Sequence, residues 1–99
     1  MRMMMKSQLE VEATNLAIAD GTISQVFDKV FGTAKPEALY FLTEGGRRTA
    51  YAIFDMTSPD VIPLLAEPMF QSLGAEVAFY PVMTADELQK GLAGWAASR

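Results

Sequence analysis

Apolar and polar side chains alternate over the first residues of the chain. One side of the extended segment carries Met3, Met5, Ser7, Leu9 and Val11, and the other carries Met4, Lys6, Gln8, Glu10 and Glu12. A period of two predicts a β-strand over residues 3–11 with one apolar face. The polar stretch Glu12–Asn15 precedes an apolar run, so we expect a helix to begin near Thr14 or Asn15.

Helical spacing of apolar residues follows an interruption at Asp20–Thr22, where glycine is unfavourable inside a helix. These residues form one stripe, which predicts a second helical stretch. Gly32 and Pro36 are expected to end it, because glycine favours the end of a helix and proline disfavours helical angles in the residue before it. The stripe consists of Ile23, Val26, Phe27, Val30 and Phe31.

A β-hairpin is predicted by residues 38–42 and 49–54, which are rich in aromatic and branched side chains. Gly45 and Gly46 lie between them and supply the positive φ angles of a two-residue turn, with Glu44 opposite Arg47 as an expected ion pair. Centring the turn on the two glycines fixes the register. The predicted pairs are Leu42 with Thr49, Phe41 with Ala50, Tyr40 with Tyr51 and Leu39 with Ala52.

A third helix is indicated by Ser58 as its cap and Pro59 in its first turn, where a missing N–H is not needed. Pro68 lies further along this helix and removes a backbone hydrogen bond. We therefore expect the helix to be bent or split near Glu67 and Pro68. Gly74 is expected to end it.

Residues 76–82 predict a fourth strand, and Pro81 within it favours an edge position. Thr84 and Glu87 then have the spacing of a capping box, which marks the start of a helix. We expect this last helix to be short, because two glycines weaken it. Its apolar residues are Leu88, Leu92 and Trp95.

The order strand, helix, strand, strand, helix, strand is that of a ferredoxin-like βαββαβ domain of the α+β class. Residues 1–99 are expected to form this single domain, with a four-stranded antiparallel sheet and an extra C-terminal helix. Its helices cover one sheet face and leave the other bare. The covered face is expected to carry Met3, Met5, Leu9, Val11, Leu39, Phe41, Ala50, Ala52, Phe54, Val77 and Phe79.

The bare face is expected to hold all three tyrosines of the protein. Such an apolar patch is larger than a water-soluble monomer usually exposes. The simplest cover is a second copy packed sheet against sheet about a two-fold axis, with tyrosine hydroxyls bonded to groups such as Gln8 or Glu10. The predicted dimer interface consists of Tyr40, Leu42, Tyr51, Ile53, Tyr80 and Val82.

Composition narrows the chemistry. The 99 residues carry a formal charge of −4 and include neither histidine nor cysteine. A net negative charge disfavours nucleic acid as a partner, and the missing residue types exclude thiolate and imidazole chemistry. The acidic residues are spread evenly, so no metal or other cofactor is expected. No segment is long and apolar enough to cross a bilayer or act as a signal peptide, so a cytoplasmic location is expected.

Four segments resemble a family of small, uncharacterised bacterial proteins: Lys35–Phe41, Gly46–Thr49, Ala66–Phe70 and Pro81–Leu88. The layout of that family is similar to the dimeric α+β barrel superfamily, which includes small monooxygenases, lactone isomerases and heme-handling enzymes. The resemblance implies a homodimer more than it implies an activity. Many of those enzymes depend on histidine, which this chain lacks.

Two groups of residues are candidates for a site. Glu67 is the candidate catalytic residue, because a helix opened at Pro68 would let its carboxylate turn into an apolar pocket and act as a general base. The alternative is a solvated helix residue beside a proline that only fixes a bend. Asp55 is a second candidate base, although capping of the following turn is the favoured interpretation.

The second group is the tyrosines of the bare sheet face and the charged residues near them. These residues either bind an aromatic molecule held between two sheets or form the core of a dimer. Arg47 and Arg48 follow the turn and would suit a carboxylate or phosphate, or serve as surface charges. The candidate ligand-binding residues are Tyr40, Tyr51, Tyr80, Lys6 and Arg48, with Glu10 beside them.

Two functions remain open on these grounds. The first is a homodimeric α+β barrel protein that binds a small apolar or aromatic molecule or serves as an assembly module. The alternative is a cofactor-independent enzyme, similar to the small monooxygenases or isomerases, that uses Glu67 or a tyrosine for proton transfer.

Overall fold

Four antiparallel strands form one sheet in the computed structural model, which describes residues 1–99. The strands lie in the order β2-β3-β1-β4. Three helices contact one another and the sheet, and a fourth follows the last strand. The elements are β1 (Arg2–Gln8), α1 (Val11–Asp20), α2 (Thr22–Ala34), β2 (Ala38–Glu44), β3 (Arg47–Asp55), α3 (Val61–Leu73), β4 (Glu76–Pro81) and α4 (Ala85–Ser98). This α+β architecture is consistent with the predicted ferredoxin-like layout.

The hydrophobic core lies between the sheet and helices α1 to α3. Alternate residues of β1 and β3 point into it, as the period-two pattern predicts, so Met5 and Phe54 are almost fully buried. The facing helices contribute Val30, Leu65 and Met69. Two residues predicted for this face differ in exposure from the rest: Val11 is 43% exposed, and Phe41 lies on this face with its ring 5.5 Å from that of Phe27 but is 58% exposed. Val11 belongs to α1, and Phe41 lies on the edge strand β2, where no neighbouring strand shields it.

The β2–β3 hairpin has the predicted turn and the predicted register. Gly45 and Gly46 have φ angles of 61° and 77°, which residues with a Cβ rarely adopt. All four predicted cross-strand pairs are present, including Tyr40 opposite Tyr51. The two glycines therefore set the position of every side chain on both strands.

The boundary between β1 and α1 differs from the prediction. The strand ends at Gln8 and the helix begins at Val11, three residues before the expected start. Glu10 explains the difference, because its carboxylate accepts hydrogen bonds from the free N–H groups of Glu12 and Ala13 at 3.2 and 2.5 Å. A glutamate in this position acts as an N-cap, although Ser, Thr, Asp and Asn are the usual residues.

Helix ends are the other places where the prediction was wrong. Gly32 lies inside α2, which continues to Ala34, and Lys35 adopts the left-handed conformation at its end with a φ of 50°. Helix α3 begins at Val61 rather than at Pro59. It is not split at Pro68, because Leu65 and Met69 on either side are fully buried and hold both turns in the core; a bend at Pro68 stays a prediction.

Helix α4 has the predicted capping box between Thr84 and Glu87, but it is longer than expected, at 14 residues. None of its residues is buried. It extends the molecule to 56 × 27 × 18 Å, with a radius of gyration of 16.1 Å. A compact chain of about 100 residues has a radius of gyration near 13 Å. The helix thus projects from the rest of the domain.

Candidate functional site on the open sheet face

The sheet face opposite the helices, here called the open face, collects the three tyrosines as predicted. Backbone register places Tyr40, Tyr51 and Lys6 in one row across β2, β3 and β1. The next row contains Ile53, Met4 and Tyr80, and Val82 follows just beyond β4. The exposed fractions of Tyr40, Leu42 and Tyr80 are 70%, 41% and 46%, so this face is an uncovered apolar surface.

A hydrogen-bonded trio of Lys6, Glu44 and Tyr51 lies within the open face. The Tyr51 hydroxyl donates to Oε1 of Glu44 at 2.5 Å, and the Lys6 ammonium donates to Oε2 of the same carboxylate. Lys6 Nζ also lies 5.7 Å from the centre of the Tyr51 ring, within the range of a cation–π contact. Gln8 adds a hydrogen bond from its side-chain amide to the Glu44 carbonyl, at 3.1 Å.

Thr49 is the neighbour of Tyr51 on the same face of β3. Its register position lies between Leu42 and Gln8 on the open face, yet only 2% of it is exposed. Its hydroxyl donates a hydrogen bond to the Arg47 carbonyl at 3.1 Å. The bonds among Lys6, Glu44 and Tyr51 make the trio a hydrogen-bonded structure on the sheet and not a set of free surface charges.

Each member of the trio changes the ionisation of the others. The hydrogen bond from Lys6, followed by that from Tyr51, lowers the pKa of the Glu44 carboxyl. The bond between Lys6 and Glu44 is also the largest cause of the raised pKa of the Lys6 ammonium, and the bond between Tyr51 and Glu44 is the largest cause of the raised pKa of the Tyr51 phenol. At neutral pH the trio thus holds one carboxylate, one ammonium and one protonated phenol, with no net charge.

The trio retains hydrogen-bonding capacity for a ligand. An ammonium has three N–H donors, and Glu44 accepts from only one of those of Lys6. A depression of about 160 Å³ lies beside Lys6. It is lined by Lys6, Gln8, Glu76, Val77, Ala78 and Tyr80.

Arg48 does not belong to this site. It lies one residue away from Thr49 and therefore on the face that the helices cover. There its guanidinium donates to Asn15 Oδ1 at 2.9 Å and to the Val11 carbonyl at 3.5 Å. Its observed role is to connect β3 to α1.

Two other expected partners are also engaged elsewhere. Glu10 caps α1 and is not bonded to a tyrosine. Arg47 lies opposite Glu44 in the backbone register, but the Glu44 carboxylate bonds to Lys6 and Tyr51. The Arg47 guanidinium instead lies 3.9 Å from Glu76.

The two candidate bases lie on the surface. Glu67 is exposed on α3 and accepts a hydrogen bond from Gln71 at 3.2 Å, at the edge of an open groove of about 520 Å³ between α2 and α3. The expected inward rotation at Pro68 is absent. Asp55 has a side chain that is 78% exposed, and its bond to the N-terminal ammonium lowers its pKa. Both carboxylates are exposed to water.

Glu44 is the site residue that sequence reasoning missed. Its even-numbered position on β2 places it on the same face as Tyr40 and Leu42, and this parity was readable once the turn was fixed. The expected ion pair with Arg47 across the turn left Lys6, which lies on the open face of β1, out of consideration as the partner of Glu44.

Comparison with known proteins supplies no further assignment. No protein-family model and no curated protein matches this chain. None of the four helices is both long and apolar enough to span a bilayer, and no three acidic side chains cluster as metal ligands would.

Proposed function

We propose that the protein is a homodimer whose open faces stack on each other and enclose a site for a small aromatic molecule. The observation that carries this proposal is the exposure of Tyr40, Leu42 and Tyr80 on a sheet face that no helix covers. Patches of this kind mark protein interfaces or ligand sites. Two open faces stacked about a two-fold axis would form an interface and a ligand site together. The stack would bury the exposed apolar side chains and enclose the depression beside Lys6 of each copy.

The chemistry of the trio indicates which ligands suit the site. Tyrosine rings favour an aromatic body, and the remaining donors of Lys6 favour an oxygen acceptor such as a hydroxyl, carbonyl or carboxylate. The Glu44 carboxylate already neutralises Lys6, so a high charge on the ligand is not required. The ligand class is thus a small aromatic molecule with one polar end.

Proton-transfer catalysis has less support. Glu67 is exposed to water, whereas a general base is commonly tuned by burial. Tyr51 donates to Glu44, and its raised pKa keeps the phenol protonated at neutral pH. An assembly module without a ligand remains the outcome if the dimer forms and its interior is fully packed.

The dimer is tested by two matched substitutions. Tyr40 and Leu16 are 70% and 71% exposed, but Tyr40 lies on the open face and Leu16 on α1. We expect sedimentation to show a dimer for the wild type and for Leu16→Glu, and a folded monomer for Tyr40→Glu, because the new carboxylate would be buried at the interface. A monomeric wild type, or a Tyr40→Glu variant that still dimerises, would contradict the proposal.

The ligand site is tested with 2-naphthol, an aromatic body with one hydroxyl. Amide NMR shifts should titrate to saturation in β1 and β3, and Lys6→Gln should weaken binding about tenfold, the equivalent of one charge-assisted hydrogen bond. Lys29→Gln on α2 is the matched control and should bind as the wild type does. Shifts in the α2–α3 groove, no saturable shifts, or equal affinity for Lys6→Gln would each refute the site.

A further inference from the structure

Helix α4 presents an apolar stripe that nothing in its own chain covers. Leu88, Leu92 and Trp95 follow one another at spacings of four and three residues, so they lie on one side of the helix. They are 44%, 48% and 60% exposed. None of its residues is buried, and an ion pair links its first turn to β1, where Glu87 lies 3.6 Å from Arg2.

Such a helix needs a surface to pack on. Isolated helices of fewer than about 12–15 residues are marginal in water even when rich in alanine. Two internal glycines, Gly91 and Gly94, lower the helical stability of α4 further. Its apolar stripe is therefore the feature that would stabilise it, through contact with another surface.

The attachment of α4 indicates which surface that is. Arg2 has the same parity on β1 as Met4 and Lys6, so it belongs to the open face. Its contact with Glu87 holds the first turn of α4 at the margin of that face. A chain that covers the open face would therefore lie beside the first turn of α4.

We propose that the stripe of α4 packs against the second copy of this chain, the one that stacks on the open face. This inference rests on the proposed dimer and extends it, because it makes α4 an arm that holds the partner. Each copy would give one arm and receive one, as two-fold symmetry requires.

Interface area supports an arm of this kind. Four strands spaced about 4.8 Å apart and about six residues long at ~3.4 Å per residue define a flat area of roughly 400 Å². A standard interface covers about 800 Å² on each partner. A helix of 14 residues is about 21 Å long and about 10 Å wide, so it adds roughly 200 Å² and brings the total closer to that of stable dimers.

Trp95 reports on this contact directly, since it is the only tryptophan. Fluorescence emission and acrylamide quenching are measured across a dilution series, with sedimentation on the same samples. We expect Trp95 to be blue-shifted and protected in the dimer, and to become solvent-exposed as the dimer dissociates. Leu92→Glu should weaken dimerisation at least tenfold, while Ala93→Glu, one residue along on the other side of the helix, should not.

The outcomes separate this inference from the proposed dimer. A dimer with an exposed Trp95, or a Leu92→Glu variant that dimerises like the wild type, overturns the role of α4 and leaves the dimer standing. A monomer at every concentration overturns both. A protected Trp95 in a monomer means that α4 folds onto its own chain, which also overturns the inference.

Discussion

Glu44 shows how a single residue acquires its role from its neighbours. By sequence it is the last residue before a tight turn, opposite an arginine. In the fold its carboxylate accepts from Lys6 and Tyr51 and so joins three strands. The parity of the tyrosines could be predicted from alternation, because backbone geometry fixes it. The direction in which Glu44 turns could not, because it depends on which donor lies within reach after the strands pair.

Replacing Glu44 with glutamine should lower stability most at neutral pH. The pKa of Glu44 is lowered in the folded protein, so its contribution is present above the unfolded value, about 4.3, and is lost as pH falls through the folded value. The difference in unfolding free energy between wild type and Glu44→Gln should therefore shrink from pH 7 to pH 3 in urea titrations. A difference that is equal at both pH values would show that the carboxylate is not bonded to Lys6 and Tyr51.

The same substitution should also change Tyr51. Its pKa is raised, chiefly because the phenol donates to Glu44, so that bond stabilises the fold below the ordinary value and is lost as pH rises through the raised one. In Glu44→Gln we expect the Tyr51 pKa to fall toward its ordinary value. Carbon NMR of the labelled Tyr51 ring measures this, and an unchanged pKa would contradict the hydrogen bond.

Ser7 is fully buried on the helix-covered face, and its hydroxyl has no hydrogen-bond partner. Burying an unbonded hydroxyl costs about 1–3 kcal/mol. Ser7→Ala should therefore raise the unfolding free energy by about 1 kcal/mol. Thr14→Val is the control, because the equally buried Thr14 hydroxyl donates to the Glu10 carbonyl at 2.6 Å and its loss should destabilise the protein. A stability loss in Ser7→Ala would mean that this hydroxyl is bonded after all.

At the scale of elements, features set by short-range steric rules were predicted from the sequence, and features set by tertiary contacts were not. The hairpin was predicted down to its register because positive φ at two glycines leaves one turn geometry. Helix ends were predicted less well. Gly32 does not stop α2, because the buried residues Val30 and Ala34 on either side hold the final turn in the core. Similarly, buried neighbours carry α3 through Pro68.

Replacing glycine in the β2–β3 turn should lower the unfolding free energy, and replacing glycine inside α2 should raise it. Changing Gly45 and Gly46 to valine should destabilise the protein by about 1–3 kcal/mol at each position, since branched residues resist positive φ. Gly32→Ala should stabilise it by about 0.5–1 kcal/mol, because Gly32 is helical and a Cβ there meets no atom within 4 Å. Chemical denaturation measures both. An unchanged stability in the valine variant would contradict the turn geometry.

At the scale of the molecule, the exposed apolar surfaces indicate more about function than the core does. Only 19 of 99 residues are buried, and the open face and α4 leave large apolar side chains in water. The sequence predicted the open face but not the projecting helix. The spacing of Leu88, Leu92 and Trp95 is the same whether α4 packs on its own sheet or on another chain. The sequence alone therefore does not predict that no residue of α4 is buried in its own chain.

A dimer that unfolds to separate chains should melt at a temperature that rises with protein concentration. Each tenfold increase adds about 1.4 kcal/mol to the unfolding free energy of the dimer. With an unfolding entropy of about 2.1 cal/mol/K per residue over two chains, this corresponds to roughly 3 °C per tenfold increase. Leu16→Glu should show the same slope, whereas Tyr40→Glu should melt lower and independently of concentration. A wild-type melting temperature that does not change over a hundredfold range would mean that dissociation is not part of unfolding, and that the open face is stable in water without a second copy.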